Sequence, residues 1–430
     1  MTNEQIIALI KREVVPAIGC TEPAAVALCT AYATEALGCR PERVDVSLSA
    51  NMLKNAMGVG IPGTGMTGLP IAVALGALIG KSAYGLEVLR DVNPAAVAEG
   101  KAWLAGNPLT VALTTESDEL LYIDVRCSAG GKQSHAIIAR EHTRLVYLEG
   151  PCSPTQDRRA ELGKQAAEAA ENDLTLRRVF EFATTAPLAD LEFINESRRL
   201  NEAAAEEALK GNYGHELGKT LSRPLGKGIM GDSIFSHIIS ATSSACDARM
   251  AGAKIPVMSN SGSGNQGIAA TLPVVVFARE NHNTEEELTR ALVLSHLTAI
   301  YIKQSLGVLS CLCGCVVAST GSSCGMTYLM GGGYEQVSYS VKNMIANLAG
   351  MVCDGAKPSC ALKVSSGVST AVLSAMLAVQ NHSVSCYEGL IEDDVDRCIR
   401  NLTRLGSVGM QETDKMVLDI MTHKKNRADE

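Results

Sequence analysis

The sequence predicts an α+β fold, a small antiparallel sheet with its helices followed by a largely helical domain of buried helices. Three observations predict it. Period-two apolar alternation is confined to the first 150 residues or so, and helical spacing takes over from about residue 155. Aromatic residues are scarce, one Trp and five Phe in a chain that is 46% apolar, so the core must be built from Ala, Val, Leu, Ile and Met. With 39 Gly besides, close approach of helices and backbones is the expected packing style.

The elements follow in order. Ile6, Ile7, Leu9, Ile10 and Val14 recur at helical spacing and predict an amphipathic helix near 3–16. Thr21 just ahead of Pro23 opens a second helix. Val44 to Ser49 alternates like a strand. From about 108 to 149 the segments LTVALTT, LLYIDVRCSA, KQSHAIIAR and TRLVYLE alternate again, separated by short polar or Gly-Gly turns, which predicts an antiparallel meander. Helical spacing then covers 155–172, 174–183, 187–211, 232–251, 284–304, 335–350, 364–380 and 388–404. Gly-rich loops are predicted at 226–231, 259–267, 320–333 and 354–358. The Gln-, Arg- and Ala-rich stretch at 152–174 marks the expected boundary between an α+β portion, 1–150, and a mainly helical portion, 151–430.

Composition narrows the function classes. The 430 residues carry a net charge of −8, and no Lys/Arg block is interleaved with aromatics, so nucleic acid is not an expected partner. Two uncharged stretches, 56–80 and 305–333, are long enough to span a membrane. They lack aromatic anchors and basic flanks and carry many small polar residues, so buried helices and loops are expected, with no membrane partner. The opening MTNEQIIALIKREVVPAIGC lacks the basic start, apolar run and cleavage site of a signal peptide. A reducing cytoplasm is therefore the expected location of the fourteen cysteines, where metal or catalytic use outweighs a disulfide framework.

Four segments carry residues suited to chemistry. The densest is Cys311-Leu312-Cys313-Gly314-Cys315 with Cys353-Asp354 and Lys357-Pro358-Ser359-Cys360. Thiolates are natural ligands of iron–sulfur clusters and of zinc. A Cys-x₆-Cys pair reached through glycine and followed by a helix lets thiolates and free backbone amides converge on one inorganic anion. Spacing does not choose iron over zinc, nor among Cys311, Cys313 and Cys315: a strand would place all three on one face, a helix Cys311 and Cys315. The plain alternative is that these cysteines are small core residues.

In Gly19-Cys20-Thr21-Glu22-Pro23, Cys20 falls at a helix N-terminus, where the dipole lowers a thiol pKa and suits it to act as base or nucleophile. Taken alone, a helix-capping turn explains this segment better. Ser259-Asn260-Ser261-Gly262-Ser263-Gly264-Asn265-Gln266-Gly267, leading into IAATLPVVVFA, is an anion cradle for a substrate carboxylate or a cofactor phosphate. It resembles the phosphate loop of pyridoxal-phosphate enzymes, but no Ser-Phe-Lys type segment precedes it, and the nearest lysines are Lys227 and Lys254. The Lys54-Asn55 to Gly65 segment suits anion binding and a plain strand-to-helix connection equally well. The eight His are scattered, and His237 and His296 read as structural. No Walker A, G-x-S-x-G or dinucleotide fingerprint sits correctly between strand and helix.

Taken together these segments resemble the L-cysteine desulfidase family, which is related to the α-chain of iron–sulfur L-serine dehydratases. The resemblance is carried by Val15 to Pro23, Lys54 to Pro62, Ser261 to Gly267, Cys313-Gly314-Cys315 and Cys353 to Cys360, and it spans nearly the whole chain. The dehydratases resemble only the later part, show Cys-Asp-Pro where this chain has Cys353-Asp354-Gly355, and lack the Gly-Cys-Thr-Glu-Pro start.

The resemblance implies one [4Fe–4S] cluster per chain on Cys313, Cys353 and Cys360, with Cys20 as proton acceptor. It implies an oxygen-sensitive β-elimination of L-cysteine to pyruvate, ammonia and hydrogen sulfide. The expected substrate contacts are Ser261, Gly262, Ser263, Gly264 and Asn265 of the loop, with Asn55. The substrate is then a small amino acid. L-Serine or a related β-substituted amino acid is the nearest alternative. A non-catalytic iron–sulfur or zinc sensor is a further one, and a pyridoxal-phosphate enzyme a distant third. An alanine-rich helical surface of this kind commonly assembles, so a homo-oligomer is an expectation.

Overall fold

The computed structural model describes residues 1–162, 174–307 and 310–424. Helix α1 (Asn3–Glu13) opens on a capping box: Thr2 Oγ1 accepts from the Gln5 amide, and the Gln5 side chain accepts from the Thr2 amide at 2.8 Å. It buries Ile6, Leu9 and Ile10 in the helical core. After β1 (Pro16–Ile18) the long helix α2 (Thr21–Leu37) is apolar almost all round, as a buried helix must be, and Gly38 ends it in the left-handed conformation.

Next come β2 (Arg43–Leu48), α3 (Ala50–Ala56), the short pair β3 (Gly60–Ile61) and β4 (Met66–Thr67), α4 (Leu69–Leu78) and α5 (Pro94–Gly106). Strands β5 (Leu109–Leu113), β6 (Tyr122–Ala129), β7 (Lys132–Ala139), β8 (Leu145–Gly150) and β9 (Ser153–Asp157) complete a six-stranded sheet of order β5-β2-β6-β7-β8-β9. Strands β6 to β8 form the predicted antiparallel run, with Val125 opposite Ala136 and Ile137 opposite Tyr147. The LTVALTT segment departs from the predicted meander. It runs parallel to β2, Val46 opposite Val111, while β2 itself is antiparallel to β6, Val46 opposite Val125. A parallel partner needs a crossover, and the helices between β2 and β5 provide it. Helix α2 lies on one face, against Val44, Val46, Ile123, Val125 and Ile138.

The helix predicted over 155–172 begins instead as the edge strand β9, where Pro154 lacks only an amide that an edge can spare. The later part of that segment lies outside the described residues.

The remaining chain is helical: α6 (Leu176–Thr185), α7 (Leu188–Leu191), α8 (Asn195–Lys210), α9 (Leu217–Ser222), α10 (Pro224–Met230) and α11 (Ile234–Met250). After β10 (Pro256–Met258) follow α12 (Gly264–Glu280), α13 (Glu285–Leu306), α14 (Gly314–Leu329), α15 (Tyr334–Leu348), α16 (Cys360–Val379), α17 (Val395–Arg404) and α18 (Gln411–Thr422).

Two predicted glycine loops prove to be helix. Residues 226–230 complete α10, and 320–329 belong to α14, whose loop starts only at Met330. In α14 the glycines serve contact rather than turning: a side chain at Gly321 would collide with the Ser295 carbonyl of α13. Two of the buried hydroxyls of α14 are satisfied within the bundle, Thr320 by the Val316 carbonyl at 2.8 Å and Ser323 by the Ala371 carbonyl at 3.0 Å. Among the described residues one helix, α16, is long and apolar enough to cross a membrane, and 50% of that window is buried inside the fold.

Contacts cross residue 150 in both directions. Strand β1 pairs antiparallel with β10, Ala17 opposite Val257, and Leu418 of α18 joins the core beneath the sheet. The first crossing draws Cys20 to the helical bundle.

Candidate active site

The N-terminal turns of four helices converge on one cavity of about 420 Å³. Cys20 and Glu22 come from α2, Ser263, Asn265 and Gln266 from α12, Cys313 and Cys315 from α14, and Cys360 from α16. Each N-terminus presents unpaired amides and about half a positive charge, so the cavity favours anionic occupants.

Local hydrogen bonding explains the convergence. Pairing of β1 with β10 continues as Ser259 N to the Val15 carbonyl and Ser261 N to the Glu13 carbonyl, both 2.9 Å, and Thr21 Oγ1 reaches the Gly262 carbonyl at 3.3 Å. The Ser/Gly loop is thereby fixed beside Cys20. From behind, buried Asn201 donates to Thr271 Oγ1 at 3.0 Å and accepts from the Met258 amide at 2.8 Å. Asn260 Nδ2 lies 3.1 Å from His296 Nδ1, and His296 Nε2 lies 2.9 Å from Thr271 Oγ1, which itself donates to the Gly267 carbonyl. That set of partners suits a neutral imidazole protonated on Nε2. Burial drives the His296 pKa down to about 3, in agreement.

The cysteine segments are joined by a short bridge. The Cys313 amide donates to the Met351 carbonyl at 2.9 Å and the Cys353 amide to the Cys311 carbonyl at 2.6 Å, with Leu312 paired to Val352. This register sets Cys311 apart from Cys313 and Cys315, which both line the cavity. Cys311 lies off the cavity beside Asp414, and burial pushes its thiol up to about 11. The Cys315 thiol lines the cavity but donates to the Lys363 carbonyl at 3.1 Å. Cys313, Cys353 and Cys360 all line the cavity. Hydrogen bonding to Cys315 and burial raise the Cys313 thiol, and hydrogen bonding to Cys313 and burial raise Cys353. Burial also raises Cys360, whose thiol lies 3.6 Å from the Gly355 carbonyl.

The Lys54–Asn55 backbone packs directly on Gly355, where a side chain would collide with the Lys54 carbonyl; only glycine, here at φ +88°, permits that approach. Asn55 lines the cavity. The Lys54 ammonium is buried in an ion pair with Asp414 of α18, which accounts for that cation without any bound anion. Burial alone would raise the Asp354 carboxyl, but Lys357 and Lys363 outweigh it and hold it at about 2.

Of the residues singled out from the sequence, Cys20, Asn55, Ser261, Gly262, Ser263, Asn265, Cys313, Cys353 and Cys360 share the cavity wall. Gly264 is the first residue of α12, packed against Arg249. One expectation is corrected. The dipole of α2 does not lower the Cys20 pKa: burial and the adjacent Glu22 carboxylate push the thiol well above its ordinary value. The Cys20 thiol donates to Glu22 Oε2 at 2.8 Å instead of capping the helix.

The sequence presents Glu22 as part of a helix start and Gln266 as part of the Ser/Gly loop, and gives no signal for Arg249 or Lys303 on the same wall. Burial draws the Lys303 ammonium down to about 8, against the opposing influence of Cys353, Glu22 and Cys313. Arg249 and Lys303 sit in unremarkable helical stretches, so only the packing could reveal them.

Helices gathered around a thiol-lined, anion-favouring cavity accord with the comparisons to known proteins. A model of the serine dehydratase alpha chain family matches residues 83–419. The chain belongs to that family, which is of lyase type and acts on small-molecule substrates. It is 65% identical over 429 residues to a UPF0597 protein of Phocaeicola vulgatus, covering 98% of each chain. A UPF0597 protein of Bacteroides thetaiotaomicron is 64% identical over 422 residues, again covering 98% of each, and one of Aeromonas hydrophila is 45% identical over 421 residues, covering 97% of this chain and 96% of the other.

Proposed function

We propose that the chain is an iron–sulfur carbon–sulfur lyase that eliminates hydrogen sulfide from L-cysteine. The observation that carries this reading is the Cys20–Glu22 pair standing in the same cavity as Cys313, Cys353 and Cys360. A base for the Cα proton and a soft-metal donor set face one volume.

The donor set suits a [4Fe–4S] cluster. Among the described residues no trio of His, Cys, Asp or Glu side chains is placed to hold a single metal ion. In a cluster each thiolate binds its own iron, so the sulfurs need not meet at one point. Cys313 is buried and Cys353 and Cys360 half-buried, with Cys313 and Cys360 at helix N-termini; this suits an anionic cluster, whose iron would hold the sulfurs as thiolates while the helix amides would offset the remaining charge. Cys313, Cys353 and Cys360 would hold it, and with three protein ligands it supplies one open iron as a Lewis acid.

The residues divide the work as follows. Cys20 begins protonated, donating to Glu22. Transfer of that proton to the Glu22 carboxylate frees a thiolate, which removes the Cα proton. The Cβ–S bond breaks, its electron pair leaving with the sulfur, and aminoacrylate results. Tautomerisation and addition of water give pyruvate and ammonia. The Ser261–Asn265 loop and Asn55 hold the amino acid in register.

The family match favours a second reading, L-serine dehydration. That match begins at residue 83, so Cys20 and Asn55 lie outside it, which supports the desulfidase reading over the dehydratase one. The test is pyruvate release by anaerobically reconstituted protein offered L-cysteine or L-serine. The proposal expects pyruvate with equimolar sulfide from L-cysteine as the faster reaction. Faster turnover of L-serine would favour the dehydratase.

A further inference from the structure

Arg249 lies in the last turn of α11, 4% exposed, and lines the cavity. Its guanidinium rests on the first turn of α12: a side chain at Gly264 would collide with its Nε, Cζ and Cδ atoms. Among the described residues it makes no ion pair, and its Nε has no hydrogen-bond partner. The neighbouring Asp247 forms no ion pair with it: its carboxylate oxygens accept from the backbone amides of His215 and Leu217, at 3.0 and 2.9 Å. A buried cation without a partner is costly, and proteins rarely keep one that nothing neutralises.

Beside it, Gln266 is also 4% exposed, with Oε1 unpartnered, and Asn265 Oδ1 is buried and unpartnered too. The Gln266 amide packs against Gly314, where a Cβ would stand 3.1 Å from its Cδ, so the row runs from Arg249 to the backbone next to Cys313. One charged donor group and two acceptors therefore stand unsatisfied along the wall between Cys20 and the cysteine cluster.

We infer that Arg249 binds the α-carboxylate of the amino-acid substrate, with Gln266 and Asn265 accepting from its α-ammonium group. This deepens the lyase reading and rests on it. A guanidinium offers a carboxylate two parallel donors, and the free amides of the α12 N-terminus add to its field. An amino acid held at both ends would turn its Cα–H bond and β-substituent into the remaining space of the cavity. The site then accepts free amino acids and discriminates against amides and esters.

The test uses anaerobically reconstituted full-length protein and two ligands that have no β-leaving group, L-alanine and L-alaninamide, titrated calorimetrically. The wild-type protein is expected to prefer L-alanine. Arg249→Met should weaken L-alanine on the order of 10- to 100-fold, leave L-alaninamide unchanged and so abolish the preference. Arg249→Lys should retain part of it, and serves alone if the Met variant does not fold. With L-cysteine as substrate the variants should raise KM more than they lower kcat. Equal weakening of both ligands, or of neither, would overturn the assignment and leave Arg249 as a counter-charge for the Cys20 thiolate. If wild-type protein turned over neither L-cysteine nor L-serine yet kept its Arg249-dependent preference for L-alanine, the lyase reading would fall and the carboxylate site would stand.

Discussion

The Cys20 thiol gives its proton to a hydrogen bond with Glu22 Oε2, 2.8 Å away at the start of α2. Both burial and this carboxylate hold the thiol protonated, so Cys20 can act as a base only by passing its proton on, and Glu22 is the acceptor in contact with it. Glu22→Gln should therefore lower kcat by roughly 10²- to 10⁴-fold, the usual span for loss of general-base function. Cys20→Ala should do at least as much. Neither residue belongs to the donor set, so iron content measured beside turnover should be unchanged; loss of iron in either variant would place these residues in cluster retention.

The bridge between 311–313 and 351–353 leaves Cys313 and Cys353 on the cavity and Cys311 off it. Single Ser substitutions at Cys313, Cys353 or Cys360 should each lower bound iron and activity together. Cys311→Ser should retain iron, since that side chain lies beside Asp414 and off the cavity. Metal analysis of the four proteins decides it, and iron loss confined to the Cys311 variant would reverse the assignment.

Acid should act through His296. Its pKa is about 3 in the folded chain against an ordinary 6.5. Between those values the unfolded chain binds a proton that the native chain refuses, so stability falls as pH falls below about 6.5 and is insensitive to this group above it. The slope approaches about 1.4 kcal/mol per pH unit. His296→Gln should flatten the difference in urea midpoint between about pH 7 and pH 5. An unchanged difference would mean that the imidazole is charged in the native state.

Asn201 braces the loop from behind. Asn201→Leu strands the buried Met258 amide, and should cost about 1–3 kcal/mol in a denaturant titration. The loop carries Ser261 to Asn265, so KM should rise in the same variant even where the fold persists.

Much of this was legible in the sequence, for physical reasons that also set the limit. Alternation from Tyr122 to Glu149 reveals strands because one face of a sheet is buried, but it says nothing about partners, so the parallel seat of Leu109–Leu113 beside β2 stayed hidden. Gly321 and Gly325 read as loop because glycine is a poor helix former, yet inside α14 they buy close contact with α13. Cys20, Asn55 and the cysteine segments stand out in the sequence because residue type and order carry chemical meaning. The choice of Cys313, Cys353 and Cys360 comes from the family resemblance, and the fold brings all five residues to one cavity. Arg249 and Glu22 do not stand out, since their significance lies in what they lack or touch: a missing counter-ion in one case, a thiol proton in the other. Cys20 shows the same limit, for its place at a helix start was plain and the burial that reverses the effect on its pKa was not.

The most direct test is the iron and acid-labile sulfide content of protein purified and reconstituted without oxygen. About four of each per chain, lost with activity on exposure to air, is the predicted result. Stoichiometric zinc with no labile sulfide, or full turnover of L-cysteine by iron-free protein, would contradict it and leave Cys313, Cys353 and Cys360 without the role given to them here.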